Sequence, residues 1–360
     1  MRAHLKGARM PIFSLGRPLG AALSLVLFTL APALAQPPEP RLEVSPAASP
    51  GARKADPRGS FSLSYDNDLF ARTDRYYTSG LQLNWRSASE QPPAWLAWVS
   101  DSAGFLFPRG GAPRWGLSAG QSIFTPNDIR RRNPDPADRP YAGWLYGAVS
   151  LVSSTATELG GVELQIGIVG PSALGRQAQN GVHRLRDLAP AEGWSYQLKD
   201  EVGVNLILAR QWRINQELGF GGLAMGLVPS ATASLGNVMT YAGAGLVLRL
   251  GNNLTADFGP PRTRPGISGS AFFEPVEGFG WYVFAGVEGR AVAHNIFLDG
   301  NSFQGSRSVE RIPGVGDASL GAVAMWGRVR LTASYTFRSR EFEAQPQAAQ
   351  FGSVSMSMRF

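Results

Sequence analysis

The sequence predicts an all-β fold, a twelve-stranded antiparallel transmembrane β-barrel whose extracellular loops carry the active site. Three observations predict it. The first is the end of the chain: Val329, Leu331, Ala333, Tyr335 and Phe337 alternate with Arg330, Thr332, Ser334, Thr336 and Arg338, and Val354, Met356, Met358 and Phe360 alternate with Ser355, Ser357 and Arg359. Side chains on a strand point to opposite faces in turn, so each stretch has one apolar and one polar face, as a strand between lipid and a polar lumen requires. The second is an export signal at the other end of the chain. The third is the lack of any later long uncharged apolar run, which excludes a transmembrane helix, while 43 glycines and a mean hydropathy near zero suit strands whose two faces average out.

The leader is 1–35: basic Arg2, Lys6, Arg9 and Arg17, an apolar run from Leu19 to Ala31, then Ala33-Leu34-Ala35 before Gln36. That run is too short to span a bilayer. Without the leader, 30 Lys and Arg stand against 27 Asp and Glu, a net charge of +3 instead of the +7 of the whole chain. The basic balance therefore gives no case for nucleic acid. Cysteine is absent, which excludes disulfides and thiol chemistry. Residues 36–58, rich in Pro, Ala and Gly without apolar periodicity, read as a disordered linker, and the barrel as 59–360.

Twelve strands are expected at about 60–68, 78–87, 114–124, 141–153, 158–169, 200–212, 217–228, 238–250, 280–292, 316–326, 328–339 and 351–360. Leu81, Leu83 and Trp85, and Val162, Leu164, Ile166 and Ile168, alternate cleanly; the seventh and eighth strands are rich in Gly and Ala. An even count puts both chain ends in the periplasm and makes 69–77, 125–140, 170–199, 229–237, 293–315 and 340–350 the outer loops. Arg328, Arg330, Arg338, Glu288 and Arg290 are expected to point inward and fill the lumen. Two periplasmic turns, 88–113 and 251–279, are longer than the rule allows, and the sequence assigns neither a role.

Outside the leader there are two histidines, His183 in the third outer loop and His294 at the top of the ninth strand. Histidine is the usual general base near neutral pH. If Gln179 to His183 is helical, their side chains share one face, an amide beside an imidazole. The plain alternative is a polar loop whose histidine bonds backbone, and the motif alone leaves both open. The first loop groups Asp66, Asn67, Asp68, Thr73, Asp74, Thr78 and Ser79, hard oxygen donors suited to calcium but without EF-hand spacing, and equally the residues that ordinary turns use. The second loop has Arg130, Arg131 and Arg132 in a row, suited to the phosphates of lipopolysaccharide or simply solvated. All three loops share the outer side of the membrane.

These segments resemble the outer-membrane lipid A 3-O-deacylases of the LpxR type, from Ser62 to Phe360. The resemblance is carried by Asn67-Asp68, by Asp74-Arg75-Tyr76-Tyr77-Thr78-Ser79-Gly80, by Asp138-Arg139-Pro140-Tyr141-Ala142-Gly143-Trp144, by Val169-Gly170-Pro171 with Gln179-Asn180-Gly181-Val182-His183-Arg184, and by Phe284 to Glu288 and Glu341-Phe342. It implies a bacterial outer-membrane enzyme that uses calcium to remove the acyloxyacyl chain at the 3-position of lipid A, at a site between the barrel wall and a helical outer loop. It further implies that His183 activates water, that Gln179 places or stabilises the reacting group, that Asn67, Asp68 and Thr78 complete the site with Asn67 and Asp68 at the metal, and that Arg131 and Arg132 face the lipid A headgroup. The family pattern also leads to a glutamate six residues after the histidine, where this chain has Ala189, with Asp187 and Glu192 the carboxylates nearby. Other classes compete: a non-catalytic barrel, as a narrow pore or a structural protein, or an outer-membrane phospholipase with a serine nucleophile. No serine stands within a few residues of His183.

Overall fold

The computed structural model describes residues 56–68, 75–89, 92–219, 221–260 and 273–360. The expected leader and residues 36–55 of the expected linker lie outside the described residues. The described strands are β1 Ser60–Asn67, β2 Tyr76–Arg86, β3 Ala112–Thr125, β4 Ala142–Ser154, β5 Glu158–Val169, β6 Glu201–Trp212 resuming after Arg213 as Ile214–Glu217, β7 Ala224–Gly236, β8 Met239–Gly251, β9 Val276–Asn295, β10 Gly314–Gly327, β11 Val329–Arg338 and β12 Ala349–Arg359. Each pairs antiparallel with the next, and β12 closes the ring on β1 with Ser60 opposite Arg359. Closure removes the exposed edges that an open sheet would present.

Alternation decides which way each side chain faces. Val329, Leu331 and Ala333 of β11 sit opposite Met358, Met356 and Val354 of β12, so large apolar groups share one face across the pair. That face is outward, with Leu331 50% exposed, while Arg330 is fully buried in the lumen. Arg328 departs from the expected pattern: the turn after Gly327 (φ +52°) takes it out of the strand, and it is exposed.

The seventh strand is the other departure. It begins at Ala224, not 217, because Gly219, Gly221 and Gly222 adopt φ of +76°, +60° and +66°, a left-handed run that no strand accommodates. Residues expected as outer loop, 229–236, are strand, and the connection shrinks to Asn237-Val238. The break in β6 has a cause as well. Arg213 donates to the carbonyls of Thr255 (2.7 Å) and Asp257 (2.9 Å) and covers the Phe258 ring, tying the strand to the turn after β8.

That turn closes the periplasmic end. Asp257 is fully buried and accepts from Arg249 (3.0 Å), Arg330 (2.9 Å) and the Tyr282 hydroxyl (2.9 Å). Losing one partner of such a buried set typically costs roughly 3–5 kcal/mol. Towards the outer end Asp317 holds Arg338 (2.8 Å) and Arg290 (3.0 Å), and Glu341 bridges Arg338 (3.4 Å) and Arg139 (3.2 Å). Burial favours the neutral Glu341 carboxyl, but the surrounding guanidiniums outweigh it and hold the group below its ordinary range. The lumen is thus occupied by charge layers, as expected from Arg290, Arg330 and Arg338. The other long turn carries helix α1, Ala94–Ser102, against the outside of the wall. The fold also begins before Gly59: Asp56 accepts from Arg114 (2.9 Å) and from Arg359.

Candidate active site

The third outer loop folds down over the lipid-facing side of the wall. Its ends are stapled by Asp200, which accepts from the Ser172 amide (2.8 Å) and hydroxyl (2.7 Å). Gly170, at φ +112°, passes so close to Lys199 and Asp200 that a Cβ there would lie 2.6 Å from their backbone. A short turn, Pro171–Ala173, then leads into helix α2, Gly175–Leu185, through Leu174 in the left-handed region (φ +59°). The helix rests on the wall where the wall has no side chain: a Cβ on Gly143 of β4 would lie 3.1 Å from the Ala173 Cβ and 3.3 Å from the Gly175 nitrogen. Gln121 of β3, outward by parity, donates to the Ala173 carbonyl at 2.6 Å. Outward Ile123 packs with Ala178, Ala191 and Trp194.

Gln179 and His183 lie one helical turn apart on the buried side of α2, 4% and 3% exposed. The Trp194 indole N–H donates to the Gln179 side-chain oxygen at 2.9 Å, which fixes the orientation of the amide. Asn180 clamps the returning chain, accepting from the Ala191 amide at 2.9 Å and donating to its carbonyl at 3.3 Å. That clamp brings the Ala189 carbonyl to 2.6 Å from His183 Nδ1. A carbonyl can only accept, so Nδ1 is the donor in this contact. At position 189, where the family pattern leads to a glutamate, the main chain orients the ring. Glu192 is engaged with Arg132 (2.7 Å), and Asp187 is exposed.

The first-loop residues stand at the same end of the neighbouring strands β1 and β2. Asn67, outward by parity, donates to the Tyr65 hydroxyl at 2.8 Å. Arg186, which ends α2, is within electrostatic reach of that hydroxyl. Asp68 is fully buried and accepts from the Arg75 amide at 2.5 Å; the Arg75 guanidinium is fixed in turn by Asn127 (2.8 Å) and Gln347 (2.8 Å). Thr78 is the extra residue of a bulge between Tyr77 and Ser79, and its buried hydroxyl meets that of Thr125 at 2.7 Å. Of the sequence-predicted residues, Gln179 and His183 thus lie on α2 against β3 and β4, and Asn67, Asp68 and Thr78 lie at the same end of the barrel on β1, just past it and on β2. Among the described residues, no three His, Cys, Asp or Glu side chains gather as a metal site.

Arg131 and Arg132 are exposed beside this site, the first paired with Asp135 (3.5 Å) and the second with Glu192. The Glu192 amide donates to the Ile129 carbonyl (2.9 Å), which docks the second and third loops together. His294 lies on β9, with Nδ1 on Asp299 (3.1 Å) and Nε2 on the Asn237 carbonyl (2.9 Å); both ring nitrogens are engaged. Sequence reasoning did not find Trp194, Asn180, Tyr65 or Thr125. Only Asn180, inside the Gln179 to His183 motif, carried a signal that could have been followed.

Comparison with known proteins adds the following. The family model "Outer membrane protein LpxR" matches residues 22–360. Among solved structures, LpxR from Salmonella typhimurium superposes with a TM-score of 0.68 at 22% identity, covering 83% of this chain and 99% of that one. The β domain of the Bordetella autotransporter BrkA reaches a TM-score of 0.40 at 10% identity, covering 84% of this chain and 98% of that one. No curated protein matches. The first structure shares the barrel fold, and the family match takes in the strands, the loops and every residue of the site just described. This chain belongs to the LpxR family of outer-membrane proteins.

Proposed function

We propose that the protein is a lipid A 3-O-deacylase, hydrolysing the ester that links the acyloxyacyl chain to the 3-position. The observation that carries this reading is the pair Gln179 and His183, buried on the wall side of α2, with the Ala189 carbonyl orienting the imidazole through Nδ1. A lipid would reach such a site sideways from the outer leaflet. In this scheme Nε2 takes a proton from water, and the oxygen attacks the ester carbonyl. The bond between the acyl carbon and the sugar oxygen breaks, leaving the free fatty acid, and the sugar oxygen leaves as alcohol with the proton returned by the imidazolium. Gln179, its oxygen held by Trp194, offers N–H groups to the charge that develops on the carbonyl oxygen. Thr78 is held by Thr125 in a bulge that turns its hydroxyl towards the same face.

The donor set at the end of β1 suits calcium, since an amide oxygen of Asn67 and the carboxylate of Asp68 are hard ligands. When bound there, the cation would supply positive charge beside the reacting carbonyl. Arg131 and Arg132 are exposed on the second outer loop, and a guanidinium matches phosphate geometry, which supports a role in holding the headgroup. The charge layers in the lumen count against a pore.

The test is mass spectrometry of lipid A from cells producing the wild type, His183→Asn and His294→Asn. The wild type should release the 3-linked chain, His183→Asn should lose at least about a hundredfold in turnover, and His294→Asn should be near silent. Undiminished release by His183→Asn would sink the mechanism. Release of chains from phosphoglycerides instead would make the protein a phospholipase.

A further inference from the structure

The turn between β2 and β3 carries a second surface, independent of the proposed reaction. Within it α1 and the following residues to Phe107 lie flat on the outside of the barrel. On the inner side, Leu96, Val99 and Leu106 pack against Trp115, Val149, Leu151, Val162 and Leu208. All five have the outward parity of β3, β4, β5 and β6. The main chain itself touches the wall: Arg210 donates to the Leu106 carbonyl at 2.9 Å, and a Cβ on Gly160 would fall 1.9 Å from that oxygen. On the other side Trp95, Trp98 and Phe105 are 61%, 69% and 82% exposed. Pro92 to Val99 carries no charge. A helix that is apolar on both sides is stable only with apolar matter on both.

We propose that α1 with Phe105 is an anchor in the inner leaflet, its aromatic side chains seated at the headgroup boundary of phospholipids around the turn end of the barrel. Three observations favour this occupant. The patch continues, on the same strands, the outward band that includes Leu117, Leu164 and Leu206, which is the membrane interface of the barrel. Its level is marked by other aromatics that face outward at the same end, Trp115 in edge contact with Trp85 at 4.9 Å, and Trp212 under the Arg210 guanidinium. Tryptophan concentrates at this depth because its ring is apolar and its N–H is not. Finally, Arg109 follows the patch and is exposed, placing a cation where phosphates would lie. The helix belongs to the opposite end of the barrel from α2, so the leaflet is the inner one.

The chain has no cysteine, so single sites can be labelled in the full-length protein folded in phosphatidylcholine and phosphatidylethanolamine vesicles. Nitroxides on Trp98→Cys and Phe105→Cys would be compared with one on outward Leu164→Cys and one on exposed loop Arg340→Cys, each variant first shown to give a heat-modifiable folded band. The labels at 98 and 105 should collide with oxygen rather than with a water-soluble nickel chelate several-fold more than the label at 340, at a depth shallower than the label at 164. Collision with the chelate as free as at 340 would put α1 in water and overturn the proposal. Shielding from both reagents, or broadening by a second nitroxide, would overturn it in favour of a second copy of this chain. As a measurement that needs no label, brominated phospholipid should quench more emission from the wild type than from Trp95→Phe/Trp98→Phe. Equal quenching of the two would also overturn it.

Discussion

Asp68 is fully buried, with one carboxylate oxygen fixed by the Arg75 amide and that arginine fixed in turn by Asn127 and Gln347. If it holds calcium, Asp68→Ala should lower turnover at least about a hundredfold, the scale of a lost electrostatic catalyst. The barrel should still fold, since the residue stands past the end of β1. A second measurement separates binding from chemistry. Calcium should raise the unfolding midpoint of the wild type, because a ligand that binds only the folded state stabilises it, and should leave that of Asp68→Ala unmoved. Undiminished activity in excess chelator would remove the metal from the mechanism. At this scale the sequence was legible where chemistry follows spacing: Gln179 and His183 are four apart and do share a buried face. It was not legible where a partner comes from a fold of the main chain. The Ala189 carbonyl has no side-chain signature, and the chain is held back over His183 by the Leu188 amide on the His183 carbonyl and by Asn180 on Ala191.

The elements show the same division. Strands whose outward residues are large, such as β5 and β11, announce themselves by alternation, and their observed bounds lie within about a residue of expectation. In β7 the outward positions include Ala231 and Ala233, so alternation had little contrast, and the left-handed glycines before it were read as strand. Small residues can instead be a requirement of contact. Gly143 is the place where α2 meets the wall, and a Cβ there would crowd Ala173 and the Gly175 backbone. Gly143→Val should therefore lift or tilt α2, at an overpacking cost of about 1–3 kcal/mol. Most of the turnover should be lost while the heat-modifiable band persists, because β4 keeps its ladder. A fully active Gly143→Val protein would show that the seating of α2 on the wall does not matter to the site.

The whole molecule starts earlier than its alternation suggests. Asp56 accepts from Arg114 and Arg359, whose side chains are 5% and 1% exposed, so residues read as linker seal the end of the barrel. A chain starting at Asp56 behind a leader should match the full-length protein in thermal midpoint. One starting at Gly59 should lose stability on the order of 3–5 kcal/mol, the cost of removing the carboxylate from buried guanidiniums, and equal midpoints would place the boundary at 59 after all. Burial alone would raise the Asp56 carboxyl, but Arg359, with the Arg58 amide and Arg114, holds it below its ordinary 3.8. Its contribution is complete above that value and fades as the pH falls through the lower folded-state value. The strand count and closure could be read from parity. The charge plug around Asp257 could not, because a long turn has no periodicity to read.

With α2 seated on the outer wall, the proposed reaction would meet its lipid in two dimensions. Its working variable is then the mole fraction of lipid A in the surface, not the molarity of lipid A in the bulk. Adding inert detergent to mixed micelles at a fixed total of lipid A should slow the reaction by surface dilution, in proportion to the fall in mole fraction. A rate that ignored the detergent would mean that the lipid leaves the interface to react. Under that proposal the same geometry makes crowding among lipids, and not diffusion through water, the quantity that sets how often the site is filled.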